Sequence, residues 1–140
     1  MIAVIIGTHG MFSEEILKSA EMIFGTQENV GSVTFKPGEG IEDLVEKYNK
    51  LISELDSADG VLFMVDLFGG SPFNAASIIA MKNENMEIVT GVNLPMILET
   101  LGSRDFSNLS EWLAIAENSG KEAIRVLSKN LETDIEDELI

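Results

Sequence analysis

The chain has 140 residues, 45% of them hydrophobic, with a formal net charge of −15 and no cysteine. That length and apolar content imply one domain with a real core and exclude a disordered chain; the missing cysteines exclude disulfides and thiol catalysis and fit a cytoplasmic protein. The acidic balance argues against nucleic-acid binding by the usual electrostatic route, while it would steer a basic protein partner as readily as it keeps the chain soluble.

The N-terminus enters a strand directly. Ile2 to Ile6 is a short apolar run closed by Gly7-Thr8-His9-Gly10, the pattern of a buried strand in a parallel sheet. No basic leader precedes it, so no signal peptide is expected. No apolar run approaches the roughly 18 residues of a membrane span. Ser13 to Phe24 carries Ile16, Leu17, Ala20, Ile23 and Phe24 on one helical face, with Glu14 and Glu15 in the first turn and Gly25 as a stop. Asn29 to Phe35 predicts a second strand, and residues 36–40 a loop. Ile41 to Leu55 is the cleanest helical pattern. Gly60 to Val65 is a third strand, apolar throughout, and Asp66 to Gly70 its exit loop. Ser71-Pro72 predicts a helix start, serine as N-cap and proline at the first helical position, running to about Lys82. Met86 to Thr90 is a fourth strand. A helical stripe follows Pro95. Asn108 with Glu111 predicts a capping box, and Gly120 the end of that helix. Ala123 to Leu127 fits a last strand or a helix end. Leu131 to Ile140 reads as an acidic tail or the start of a linker.

Strands alternating with helices imply an α/β fold, a mainly parallel sheet covered by helices on both faces. A flavodoxin-like order 2-1-3-4 sets the first and third strands side by side, and their exit loops flank the switch point where such folds place their chemistry. His9, the sole histidine, and Asp66 lie in those two loops. Asp66 is expected to accept a hydrogen bond from one imidazole nitrogen, fixing the tautomer and leaving the other as a nucleophile. Gly69 and Gly70 let backbone N–H groups approach an anion, at the positive end of the helix that begins at Ser71. The hydroxyls of Ser71 and Thr8 are candidate further donors, and the helix beginning at Ser13 points at the same edge. A nucleophilic imidazole in such a cradle suggests phosphoryl transfer through a phosphohistidine. Neither a Walker-type loop nor a dinucleotide fingerprint is present, so no cofactor is expected and a phosphorylated protein is the natural donor. Met11, Phe12, Leu67 and Phe68, apolar residues in the two loops, are candidate docking positions, set against the alternative that they pack under the loops. One histidine and no cysteine make a metal site a poor reading. A Ser71–His9–Asp66 hydrolase lacks the nucleophile elbow.

At these residues the chain closely resembles the IIA component of the mannose-family sugar phosphotransferase system (PTS). The resemblance runs through Ile6-Gly-Thr-His-Gly10, Ala20-Glu-Met-Ile-Phe-Gly25, Gln27 to Gly31, Glu46-Lys-Tyr-Asn49 and Gly60 to Phe63. It continues through Asp66, Gly69-Gly-Ser-Pro-Phe-Asn-Ala-Ala-Ser77, Gly91 to Asn93, Pro95-Met96 and Leu98 to Leu101. It covers about residues 1 to 128, leaving 129–140 as the tail. The resemblance implies that His9 accepts a phosphoryl group from HPr on Nε2 and passes it to a IIB component, which phosphorylates sugar entering through membrane IIC and IID subunits. It implies that Asp66 contacts Nδ1, and that Ser71 and nearby amides contact the phosphoryl group. It further implies a homodimer in which a C-terminal strand, Ala123–Leu127 here, is exchanged at the sheet edge. Many members continue into a IIB domain. This sequence stops at Ile140, so IIB is expected on a separate chain or on a continuation of this one. A regulatory domain that reports PTS flux shares the same acceptance chemistry. The IIA-like subunit of dihydroxyacetone kinase is set aside by the Gly-Gly-Ser-Pro-Phe-Asn run.

Overall fold

The computed structural model describes residues 1–130. The expected tail at Leu131–Ile140 lies outside the described residues. Four strands, β1 (Ala3–His9), β2 (Val30–Phe35), β3 (Val61–Val65) and β4 (Met86–Thr90), alternate with α1 (Phe12–Phe24), α2 (Ile41–Glu54), α3 (Ser71–Ala80), α4 (Leu94–Gly102) and α5 (Leu109–Glu122). The sheet order is β2-β1-β3-β4, and every pairing is parallel. The expected topology is therefore present.

Two apolar clusters sandwich the sheet. Val4, Ile6, Leu62, Met64 and Val89 pack with α1, α4 and α5 through Ile16, Met96, Ile97 and Trp112. Ala3, Ile5, Val61 and Phe63 pack with α2 and α3 through Leu44, Tyr48, Ala75 and Ile79. This partition is the two-residue period of a strand made visible. Even-numbered residues of β1 face α1; odd-numbered ones face α2 and α3. Apart from His9 at the end of β1, both central strands are closed to solvent, and this is why their sequences are continuous apolar runs rather than alternating ones.

The remaining differences from expectation are local. Gly70, not Ser71, is the N-cap of α3: its backbone is extended (φ −73°, ψ 168°), and Ser71 is already helical. This helix ends at Ala80 rather than near Lys82. Asn108 caps α5 by accepting the Glu111 N–H at 2.9 Å. Gly120 does not stop that helix, which continues to Glu122. A Cβ at Gly120 would lie 2.7 Å from Met96 Cε, and its carbonyl accepts a 3.0 Å bond from Asn93 Nδ2. The glycine is there so that α5 can close against α4. Within this single chain, residues 124–126 form no strand, and 127–130 form a helical turn. Among the described residues no helix is long and apolar enough to cross a membrane.

Candidate active site

The carboxyl ends of β1 and β3 are adjacent, Gly7 opposite Val65, so their exit loops meet. His9 Nδ1 lies 2.9 Å from Asp66 Oδ2. The same oxygen accepts the backbone N–H of His9 at 3.0 Å. One carboxylate oxygen thus ties the imidazole to its own main chain. The other, Oδ1, is buried and has no hydrogen-bond partner among the described residues. The His9 side chain is 46% exposed and that of Asp66 18%, so the nucleophile candidate faces solvent while the group that holds it does not. A carboxylate only accepts, so Nδ1 is the donor of this pair, and in the neutral imidazole Nε2 is then the nitrogen that keeps its lone pair.

Nε2 lies beside the start of α3. A Cβ on Gly70 would sit 2.8 Å from His9 Cε1 and 3.5 Å from Nε2. Only glycine lets the helix start approach the ring this closely. Gly69 takes a positive φ of 81°, and the turn is closed by Gly70 N–H donating to Leu67 O at 3.2 Å. Asn74 Nδ2 donates back to Gly69 O at 3.1 Å. Pro72, the second residue of α3, has no N–H. The orphan donors of the first turn are therefore the amides of Ser71 and Phe73, at the positive end of the helix. Ser71 is half-buried, and its hydroxyl has no partner among the described residues.

Thr8 is not part of this cradle. It is fully buried, and its Oγ1 accepts the Ser13 N–H at 2.7 Å and donates to His9 O at 3.1 Å. The reason is parity: an even-numbered residue of β1 points to the α1 face, away from His9. Ser13, the buried second residue of α1, donates its own hydroxyl to Val33 O at 2.8 Å. Together these bonds fix the β1–α1 turn. The amide of Ser13 is consumed there, and α1 presents no N-terminal donor at that position.

The four apolar candidates do not pack under the loops, and Phe12 is the first residue of α1 rather than a loop residue. Met11 is 45% exposed, Phe12 46%, Leu67 59% and Phe68 75%. The Phe68 ring leans on Phe73, centroids 4.6 Å apart. Sequence reasoning missed Phe35, whose ring meets His9 edge-on at 5.7 Å. The signal is register: Phe35 is the β2 partner of His9. With residues 36–39 it lines a shallow cleft on the far side of the imidazole. Glu39 orders that loop by accepting Lys36 N–H at 2.7 Å and pairing with Lys47. The Lys47 ammonium, then the Lys36 N–H, hold its carboxyl below the usual range. Among the described residues no group of three or more His, Asp or Glu side chains is placed to hold a metal ion.

Comparison with known proteins matches residues 3–117 to the EIIA-man family model, described as the PTS system fructose IIA component. The chain is 51% identical over 127 residues to the mannose-specific EIIAB component of the PTS from Escherichia coli K12. That alignment covers 90% of this chain and 39% of the relative. The chain thus spans about two fifths of that protein's length. It is 39% identical to the fructose-specific EIIA component of Bacillus subtilis, over 94% of this chain and 90% of the relative. The crystal structure of a phosphotransferase system component EIIA from Streptococcus agalactiae superposes with a TM-score of 0.85 at 31% identity, covering 92% of this chain and 99% of that one.

Proposed function

The chain belongs to the mannose-type EIIA family of the sugar phosphotransferase system, and on that footing we propose that it is a cytoplasmic phosphocarrier. His9 accepts a phosphoryl group from phospho-HPr and passes it to a IIB component, which serves sugar uptake through membrane IIC and IID subunits. The observation that carries the reading is the pairing of His9 Nδ1 with Asp66 at 2.9 Å, which leaves Nε2 as the nucleophile beside Gly70.

In the proposed step the P–N bond of the donor breaks as a bond forms from His9 Nε2 to phosphorus. Nδ1 keeps its proton, so the phosphorylated ring carries positive charge. The Asp66 carboxylate offsets this charge. The same positive charge makes the ring a good leaving group for the onward transfer. Two similar P–N bonds are exchanged, so the relay runs near equilibrium in both directions. The Ser71 and Phe73 amides, the Ser71 hydroxyl and the approach allowed by Gly69 and Gly70 receive the phosphoryl oxygens. Thr8 acts through the turn it closes. Met11, Phe12, Leu67 and Phe68 offer an apolar rim on which donor and acceptor proteins dock in turn. Residues 1 to 128 form the proposed domain.

We also propose a homodimer. The free edge of β4 borders a groove lined by Phe68, Phe73, Ile88, Met96, Leu113 and Ile124. Nearby, Ile124 is 84% exposed, Val126 48% and Leu127 76%. Exchange of residues 123–127 between two copies would cover that edge and those side chains together.

Intact mass after incubation with phosphoenolpyruvate, enzyme I and HPr tests the central claim. The wild type is expected to gain one acid-labile phosphate, lost again on adding a cognate IIB, and His9→Ala to gain none. No gain in the wild type overturns the proposal.

A further inference from the structure

Tyr48 is fully buried between the sheet and α3, with its ring edge-on to Phe63 at 5.2 Å. Burial, and then the nearby charge of Asp66, push its phenol well above the ordinary range. The hydroxyl therefore stays neutral and acts as a fixed donor. It donates to Pro72 O at 3.0 Å, one residue beyond Ser71. The tip of the same ring rests on the backbone of Gly7. A Cβ there would lie 2.0 Å from the phenol oxygen and 2.8 Å from Cζ. Gly7 and His9 are odd-numbered residues of β1 and share its α2–α3 face. One rigid side chain thus touches the strand that ends in His9 and the helix whose first turn carries the phosphate donors.

We propose that Tyr48 is a positioning residue for phosphoryl transfer: it acts as a spacer from the core that sets how far the start of α3 stands from the imidazole. The inference rests on the phosphocarrier reading and adds a residue to it. Simple core filling accounts for the ring more than for the hydroxyl, because phenylalanine fills all of the site except the space of the one oxygen that reaches Gly7 and Pro72. Satisfying Pro72 does not require the hydroxyl, because the carbonyl of a first-turn residue already accepts the amide four residues on. What the hydroxyl adds is a fixed length between two backbones. The clearance at Gly70, 2.8 Å from a would-be Cβ to His9 Cε1, leaves the site little tolerance for drift.

The test is Tyr48→Phe in the HPr phosphorylation assay. The maximal rate of phosphoryl acceptance is expected to fall about tenfold, as a misplaced cradle would cause. KM for phospho-HPr should stay unchanged and the folded fraction should be full. A purely structural tyrosine would instead lower the thermal midpoint and leave the rate of the folded protein alone; that result overturns the inference. A second readout does not depend on the variant. Tyr48 is the only tyrosine, so biosynthetic 3-fluorotyrosine places one fluorine label at this position. Its resonance is expected to shift when His9 is phosphorylated; an unmoved resonance also counts against the inference. The two levels separate cleanly. Wild type that takes no phosphate refutes the phosphocarrier reading, whereas normal wild-type phosphorylation with an equally fast Tyr48→Phe refutes the role of Tyr48 alone.

Discussion

Gly70→Ala separates chemistry from folding at this site. The new methyl carbon would lie 2.8 Å from His9 Cε1, against about 3.5–4.0 Å for a comfortable carbon contact, so something must give by roughly 0.7 Å or more. Two groups can move. If the ring swings away, a displacement of that size directed along the 2.9 Å bond to Asp66 stretches it to as much as about 3.6 Å, outside hydrogen-bond range. If the start of α3 retreats, its donors leave the phosphoryl group. Either way the reacting geometry shifts by most of an ångström, which costs about a hundredfold in rate, or about 2.7 kcal/mol of barrier. Folding is affected far less. The backbone of Gly70, at φ −73° and ψ 168°, suits alanine, and the atom crowded is the tip of a half-exposed side chain. A glycine N-cap replaced by alanine costs at most about 1 kcal/mol, a few degrees of melting temperature in a domain of this size. Rapid-quench phosphorylation by phospho-HPr, beside a thermal melt, makes the comparison. A variant within about twofold of wild type in rate would refute the argument that the glycine is there for the imidazole.

Asp66→Ala is expected to slow acceptance by at least about tenfold while leaving the melting temperature within a few degrees. It removes two bonds made by Oδ2 but also a buried oxygen, Oδ1, that has no partner among the described residues; a variant that fails to fold would contradict this. Alkaline titration followed at the phenolate absorbance band should show Tyr48 neutral well above the ordinary range of a tyrosine phenol. The folded state holds the proton more tightly than the unfolded chain. That part of the stability is therefore intact below about pH 10 and is lost as pH rises toward the folded-state pKa. Phenolate should appear only together with unfolding, and its appearance in still-folded protein would disprove the burial argument. For the dimer, sedimentation should give about twice the chain mass of 15.3 kDa for wild type and a monomer for Val126→Asp with Leu127→Asp; a monomeric wild type would sink the exchange.

The meeting of His9 and Asp66 is legible in the sequence because it depends only on strand order and on which ends of parallel strands coincide. Other features depend on information that residue type does not carry. Thr8 looks like a phosphate donor by chemistry, yet strand parity turns it to the opposite face. Ser71 is the statistically preferred cap, yet the close approach to His9 requires a bare backbone at Gly70, and the helix starts one residue from where propensity puts it. Gly120 is a helix stop by propensity, and contact with Met96 overrides it. Phe35 is brought to His9 by register alone. Residues 123–127 are ambiguous for another reason: an exposed apolar segment takes its conformation from whatever covers it, and that is not encoded locally.

The double use of Asp66 Oδ2 has a kinetic consequence. Because one oxygen grips both the ring and the main chain of His9, the imidazole cannot swing between two partners as a long flexible arm would. In the proposed relay, a phosphoryl group on Nε2 therefore stays where it was received. Donor and acceptor must then visit the same opening one after the other, and each excludes the other while bound. A relay of that kind is expected to behave as a turnstile with no ternary complex. Its steady-state signature is a family of parallel double-reciprocal lines, with each protein inhibiting competitively against the other at high concentration.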